Sequence, residues 1–541
     1  MGWNRYTIEG AGGAAPQSAI TSVSRIPRSM ELWWAAPNGA VDAAFWYEGG
    51  RWEQYTLAGA GSVSPQGGIT AVSRIPGSME LWWITPDGAV DAAFWYEGHQ
   101  WSRYTLAGPG SASPDGGITV LSRRPNTMEL WWAAPDGSVN AAFWYEGHQW
   151  SRYTLSGPGS IAPEGQITAL SRKPNTMELW WPGPDGSLQS AFWYEGGQWQ
   201  RYNLGGAGTV STRGGITSVS RIPSSMELWW ITPNGAVDAA FWYEGHQWSR
   251  YTIAGPGSAS PQGGITSVSR IPQSMELWWA TPNGAVDAAY WYEGGAWQRY
   301  TLAGPGSMSP QGGISAVARI PQSMEFWWVA PDGAVQAAYW YEPPPINVAV
   351  RYRGLVCFGE TDWDQMSDSD EPYVITTVIR PDGPPGTVTS RVYEDVDAGE
   401  GRPDEQELYR GPAYGLTLGV VCMERDEGDP NKYRDQVAQG VAKASDAIVA
   451  AVTAIGGPKL GPPVAAILAK FAPDITDAIN SLLDTGDDQL GHDTILLPGD
   501  RLTALAHAPW QSTHGVSYKF ESRLFTGEGS SYKAYFDVVP V

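Results

Sequence analysis

Cysteine is nearly absent from this chain, with two residues, Cys357 and Cys422, in 541. Two thiols make no disulfide framework, and the expectation is a pair of buried, reduced side chains. Histidine is also scarce, at six residues. Three of them, His99, His148 and His246, occupy one loop position in three separate repeats. They build no metal cluster and read as solvated loop residues. Basic residues are outnumbered, 34 Lys and Arg against 56 Asp and Glu, for a net charge of −22. Residues 1–345 hold 18 basic and 26 acidic side chains and the remainder 16 and 30, so both parts are acidic. That balance argues against nucleic acid, which needs cationic phosphate contacts. No uncharged apolar run approaches the roughly 18 residues of a transmembrane helix. The opening MGWNRYTIEG has neither the basic nor the apolar part of a signal peptide. The expectation is synthesis in the cytoplasm, with extracellular action after lysis or non-classical export. Motifs such as GxSxG and HExxH are missing too.

What the chain has in excess is Trp, Gly and Pro, at 30, 66 and 42 residues. All but Trp363 and Trp510 of the tryptophans belong to a repeat. The first Trp of a WW pair recurs at Trp33, Trp82, Trp131, Trp180, Trp229, Trp278 and Trp327, always 49 residues apart. A fixed period of this size marks a stacked or circular repeat architecture. Each unit holds four strand-like runs, in the second unit 52–59, 67–76, 78–85 and 89–97. They are rich in β-branched and aromatic residues. A P-[DN]-G turn separates the third and fourth runs, where Asn-Gly or Asp-Gly supplies the positive φ of a tight hairpin. Four antiparallel strands per unit make a propeller blade. The seven units predict an all-β, seven-bladed β-propeller over 1–342. The opening WNRYTI should complete the last blade, which ends at AAYWYE (337–342).

The string SRIPxSMELWWxxPDGAVDAAFWYEGxxWxRYTLAGPGS resembles the PLL-type lectins, the seven-bladed propeller lectins of Photorhabdus. The resemblance covers about 340 residues. It implies a multivalent, non-enzymatic, carbohydrate-binding protein that takes fucose or O-methylated saccharides in pockets between blades. Its implied partners are cell-surface or secreted glycans, and a homo-oligomer stays open. The residues point the same way, because a sugar offers hydroxyls and apolar C–H faces. Every unit carries an Arg and, six residues on, a Glu two residues before the first Trp. Strand alternation puts that Glu and Trp on one face. The candidate sugar-binding sets are Arg25, Glu31 and Trp33; Arg74, Glu80 and Trp82; Arg123, Glu129 and Trp131; Arg172, Glu178 and Trp180; Arg221, Glu227 and Trp229; Arg270, Glu276 and Trp278; and Arg319, Glu325 and Trp327. Against this stands an inter-strand ion pair beside packing tryptophans, with the Trp46 and Trp3 series as alternative aromatic surfaces. Seven copies of one Glu suit binding rather than the single special carboxylate pair of a glycosidase. The fourth unit departs at Pro182-Gly183 and Thr212-Arg213-Gly214, so its pockets are expected to be weaker or empty.

Pro343-Pro344-Pro345 opens a stiff spacer over 343–347. Beyond it, 348–541 reads as a β-sandwich with an α-helical hairpin insert at about 432–484. Two acidic loops follow strands, one within 354–379 and one within 416–430. Hard carboxylate oxygens in such loops suit Ca²⁺. SDSDEPYV resembles the SDPYV signature of C2 domains, and ERDEGDP is similar to their other calcium loop. The resemblance implies Asp364, Asp370, Asp426 and Asp429 as ligands, although C2 domains lack such a helical insert. The hairpin is expected to pack on the sandwich. Its alternative role, membrane entry, would make the chain a lectin-targeted, pore-forming toxin with this domain as effector. The propeller itself calls for no cofactor. The closing stretch from 496 onward is expected to return to strands.

Overall fold

The computed structural model describes residues 2–342, 345–359, 371–425, 430–454, 457–458, 461–482, 489–527 and 529–541. The chain divides into two compact units, Met1–Tyr341 and Glu342–Val541.

The first unit is a ring of seven four-stranded antiparallel sheets. Blade 1 consists of Ile20–Val23, Ser29–Ala35, Val41–Tyr47 and Glu53–Ala58. Blades 2 to 6 repeat this order. Blade 7 takes Ile314–Val317, Ser323–Val329 and Val335–Tyr341, and its outer strand is Asn4–Glu9 from the start of the chain. That strand pairs with Val335–Tyr341, as Tyr6 opposite Ala337. The ring therefore closes as the opening WNRYTI predicted. The expected first strand of each blade is shortened: Ile69–Val72 stops before Ser73, and Ser73–Pro76 turns instead. The Ser73 hydroxyl donates to the Ile75 carbonyl at 2.9 Å, and the Ser78 amide donates to it at 3.0 Å. This turn carries Arg74 to one rim of the ring.

The P-[DN]-G turn does a second job at the opposite rim. The Gly61 amide donates to Asn38 O and the Val63 amide to Gly39 O, both at 2.9 Å, so each turn grips the loop entering the next blade. Across the closure the same bonds run from Gly12 to Asp332 O at 2.8 Å and from Ala14 to Gly333 O at 2.7 Å. Gly333 has φ +80°, and a Cβ there would lie 2.5 Å from the Ala14 carbonyl oxygen. Only glycine fits this contact.

Apolar cores lie between blades. Trp33, Val41 and Ala43 of blade 1 pack with Met79, Leu81 and Trp83 of blade 2. The second strand of every blade is buried along its whole length, as in Ser29–Ala35. Sheets this short cannot stand alone, and each is stabilised by its neighbours.

The second unit has one continuous core between two antiparallel sheets. One sheet orders Gly401–Pro412, Asn347–Gly359, Ser530–Pro540 and Phe520–Glu521, with Phe525–Gly527 also on Ser530–Pro540. The other orders Gly386–Thr389, Pro372–Ile379, Gly415–Glu424 and Gln489–Pro498. Helices α1 (Pro430–Ala454) and α2 (Gly461–Leu482) form the predicted hairpin. It packs on the second sheet, which explains why Pro372–Ile379 is buried on both faces. A Cβ on Gly419 would lie 2.8 Å from Ile479 Cδ1, so α2 sits close against the sheet at that point. Cys357 and Cys422 are both buried in the core. One expectation changes: Gly499–His507 is a helix, α3, rather than strand. Leu502 and Ala506, four apart, bury one face of it.

Candidate functional site

Hairpin connectivity sets where each repeated side chain ends up. The Ser-Arg turn joins the first and second strands, and the Glu-Gly turn joins the third and fourth. In an antiparallel blade both lie at the same rim. Arg319, Glu325, Tyr341 and the Trp46 and Trp52 of the next blade therefore converge between blades 7 and 1.

There Arg319 Nε lies 3.2 Å from Glu325 Oε1, and the Ser323 hydroxyl donates to Glu325 Oε2 at 3.3 Å. Arg319 Nη1 donates to the Pro27 carbonyl of blade 1 at 2.7 Å. Its guanidinium lies 5.0 Å from the centre of the Trp46 ring and 5.2 Å from that of Tyr341. Above it opens a cleft of about 410 Å³ lined by Tyr6, Met30, Trp46, Gly50, Arg51, Trp52, Glu325, Tyr339 and Tyr341. Trp52 Nε1 donates to the Tyr6 hydroxyl at 3.0 Å, which fixes the indole in the wall.

The same arrangement repeats around the ring. Arg–Glu separations run from 3.2 to 3.7 Å in all seven repeats. Each Arg lies 4.8–5.1 Å from the third Trp of the following blade. Each also donates to a proline carbonyl of that blade at 2.7–3.1 Å. In Arg74 a further Nη2 bond reaches the Tyr96 hydroxyl at 2.9 Å. The Arg thus bolts two blades together, held by acceptors and aromatic faces at once. Burial pushes the carboxyls of Glu31, Glu80, Glu129, Glu178, Glu227, Glu276 and Glu325 up to about 7, against the opposing pull of the arginines.

The Arg and Glu of every predicted set are brought together at a blade boundary, beneath a cleft between blades 7 and 1, but the first Trp is not at a surface. Trp33, Trp82, Trp131, Trp180, Trp229, Trp278 and Trp327 are at most 1 % exposed. Each meets the fourth Trp of the next blade edge-on, as Trp327 meets Trp52 at 6.0 Å between ring centres. These seven rings offer no face to a ligand. Alternation correctly put Glu31 and Trp33 on one side of the strand, but the next blade covers that side. The accessible aromatic surface comes from the Trp46 and Trp52 series and from Tyr341, which is 40 % exposed. A tyrosine after each third Trp was visible in every repeat and was the signal passed over. His99, His148 and His246 are exposed, as expected of loop residues.

The opposite rim carries a second kind of concavity that sequence reasoning did not find. On blade 3 about 610 Å³ is lined by Trp132, Asp136, Asn140, Arg152 and Thr154, among others. Blade 4 has about 640 Å³ beside Trp181, Asp185, Gln189 and Arg201. Blade 7 has about 570 Å³ beside Trp328, Asp332, Gln336 and Arg5. In all three an indole, a carboxylate, an amide and an Arg converge. The fourth blade, with Pro182 and Gly183, is as open here as the others.

The calcium candidates Asp364, Asp370, Asp426 and Asp429 lie outside the described residues. The strands that flank them are adjacent: Pro372 pairs with Glu424, and the Arg425 amide donates to the Glu371 carbonyl at 3.2 Å. Among the described residues no helix is long and apolar enough to cross a membrane.

No protein-family model matches the chain, and no curated relative does. Solved structures do. The BP39L lectin from Burkholderia pseudomallei aligns with TM-score 0.57 at 16% identity, over 61% of this chain and 97% of that one. AofleA from Arthrobotrys oligospora aligns with TM-score 0.42 at 14% identity, over 56% and 90%. The fungal Aleuria aurantia lectin, described as a six-bladed β-propeller with a novel fucose recognition mode, gives TM-score 0.41 at 14% identity, over 54% and 98%. At 16% identity the first of these likenesses supports the propeller fold, here with seven blades.

Proposed function

We propose that the ring is a multivalent, non-enzymatic lectin that binds fucose-type or O-methylated saccharides in its inter-blade clefts. One observation carries this reading: the cleft between blades 7 and 1 is walled by Tyr6, Trp46, Trp52, Tyr339 and Tyr341, and the side-chain set behind it recurs at every blade boundary. Such a site can stack a sugar's C–H face on Trp46 or Trp52 and offer the exposed Tyr341 hydroxyl to its hydroxyls, while the buried Arg–Glu pair holds the two walls together. The likeness in fold to the BP39L lectin supports a sugar as the ligand. Single sites of this size bind weakly, and several on one ring raise avidity by about 10²–10⁴ on a surface that presents many copies. The partners are cell-surface or secreted glycans, met outside the producing cell. A glycan array with fucosylated and O-methylated sugars tests this, and a blank array rejects it.

The opposite rim supports a second reading, since its concavities also combine an indole with hydrogen-bonding groups. Arg5→Ala, Arg152→Ala and Arg201→Ala together should strongly weaken sugar capture if that rim is the site, and leave it intact if the aromatic clefts are.

For the C-terminal unit we propose an accessory role with Ca²⁺ held by Asp364, Asp370, Asp426 and Asp429. The adjacency of Pro372 and Glu424 supports it, because it brings the bases of both acidic loops together. Melting the full chain with Ca²⁺ and with chelator tests it: a transition of the C-terminal unit that is the same in both rejects the metal.

A further inference from the structure

The residues behind the cleft between blades 7 and 1 recur at every blade boundary, but those at its mouth do not. At the position of Arg51 the other third-to-fourth-strand turns carry Gln100, Gln149, Gln198, Gln247 and Ala296. Arg51 is exposed, lines the cleft between blades 7 and 1, and makes no hydrogen bond or ion pair among the described residues. Its neighbour Gly50 leaves the cleft mouth open where blades 2, 3 and 5 carry a histidine.

The rim acid does not neutralise it. Each blade has one glutamate after the Tyr that follows its third Trp. Those of blades 4, 5 and 6 reach the Arg of the preceding blade, as Glu293 reaches Arg221 at 3.8 Å. Glu48 instead lies 3.5 Å from Arg28, a cation that only this repeat has at that place. Glu53 belongs to the same blade but points to the other side of the strand from Trp52. Counting Arg28, Glu48 and Arg51, this rim is the one with net positive charge. Where a rim Glu meets Arg124 or Lys173 the sum is zero, and at the other boundaries the positions of Arg28 and Arg51 carry no cation beside the Glu.

From this juxtaposition of an unpartnered guanidinium with an open aromatic cleft, we propose that the cleft between blades 7 and 1 selects a saccharide bearing an anionic substituent, a sulfate ester or a carboxylate. This rests on the lectin reading above and gives one of its sites a separate specificity. The planar fork of Arg51 can take two oxygens of the anion while the sugar ring stacks on Trp46 or Trp52.

Calorimetry on the full chain, with methyl fucoside, its monosulfated form and a uronic acid glycoside as probes, tests the proposal. The wild type should show one site per ring with affinity about tenfold higher for an anionic probe than for the neutral one. That preference should fade with added salt. Arg51→Gln, which installs the side chain of four other boundaries, should lose it and keep neutral binding. The sulfated and carboxylated arms tell which anion is preferred. Equal affinity for neutral and anionic probes, or a preference that survives Arg51→Gln, overturns the assignment while leaving the lectin reading intact. No binding of any probe overturns both.

Discussion

The ring and the C-terminal unit bury apolar surface in opposite ways. The ring has many small cores, each shared by two blades and each built from the same handful of side chains. The C-terminal unit has one large core between two sheets, tied by long strands such as the 13-residue Asn347–Gly359. In the ring no blade is complete without its neighbour, so one residue position serves stability seven times over. In the sandwich each side chain has a single place. The difference teaches where to look for function. A repeated residue can be a bolt between blades or a ligand contact, and only its exposure tells the two apart.

Removing residues 1–9 gives the largest expected effect. Blade 7 would lose its outer strand, the Trp3 ring that meets Trp278 edge-on at 5.9 Å, and its pairing with Val335–Tyr341. The ring transition in calorimetry should drop by more than ten degrees or vanish, on the order of what several kcal/mol does to a domain. The transition of the C-terminal unit should stay. If both move together, the two units do not melt independently and the comparison breaks.

Within the ring, Trp33→Ala and Trp46→Ala should separate stability from binding. Trp33 is fully enclosed, so its loss should cost about 3–5 kcal/mol in urea unfolding. Trp46 is half-exposed and packs its face on Arg319, so its loss should cost about 1 kcal/mol and chiefly weaken sugar capture. A Trp33→Ala ring that folds normally but fails to bind would restore the first Trp as the ligand contact.

In the sandwich, Gly419→Ala puts a methyl against Ile479 Cδ1 and should cost about 1–2 kcal/mol. Adding Ile479→Val should recover part of it, since it removes the atom in conflict. No recovery would mean that α2 does not sit at this distance from the sheet.

Why the sequence carried the ring so fully and its site only halfway is a matter of what periodicity encodes. The 49-residue spacing, the Asn38-Gly39 and Asp332-Gly333 turns and the opening WNRYTI each state a local geometry, and together they leave one closed ring. Burial of Trp33 is not local. It depends on the next blade, and a fixed Trp position looks the same whether the neighbour covers it or leaves it open. The Arg25–Glu31 pair was legible because six residues across a tight turn bring the two together. The second rim was missed because Arg152 and Asn140 sit on different strands with nothing in the spacing to join them. In the sandwich the apolar spacing of α1 and α2 showed the hairpin, while α3 escaped because GDRLTALAH is short and follows directly on a strand.

The smallest effect is on pH. The seven buried glutamates have carboxyls raised to about 7 by burial, above the ordinary 4.5 they have when unfolded. Between those values the folded ring holds more protons than the unfolded chain, so its stability falls as pH rises. The contribution is fully present below about 4.5 and is lost as pH passes 7. The ring transition should therefore be higher at pH 5.5 than at pH 8. In the sandwich the fully buried Asp537 is held by Arg351 at 3.0 Å and Arg353 at 3.4 Å, two cations on one carboxylate, where each ring glutamate has one Arg. A ring transition that climbs with pH instead would mean that the arginines outweigh burial and that every blade boundary carries a fixed ion pair.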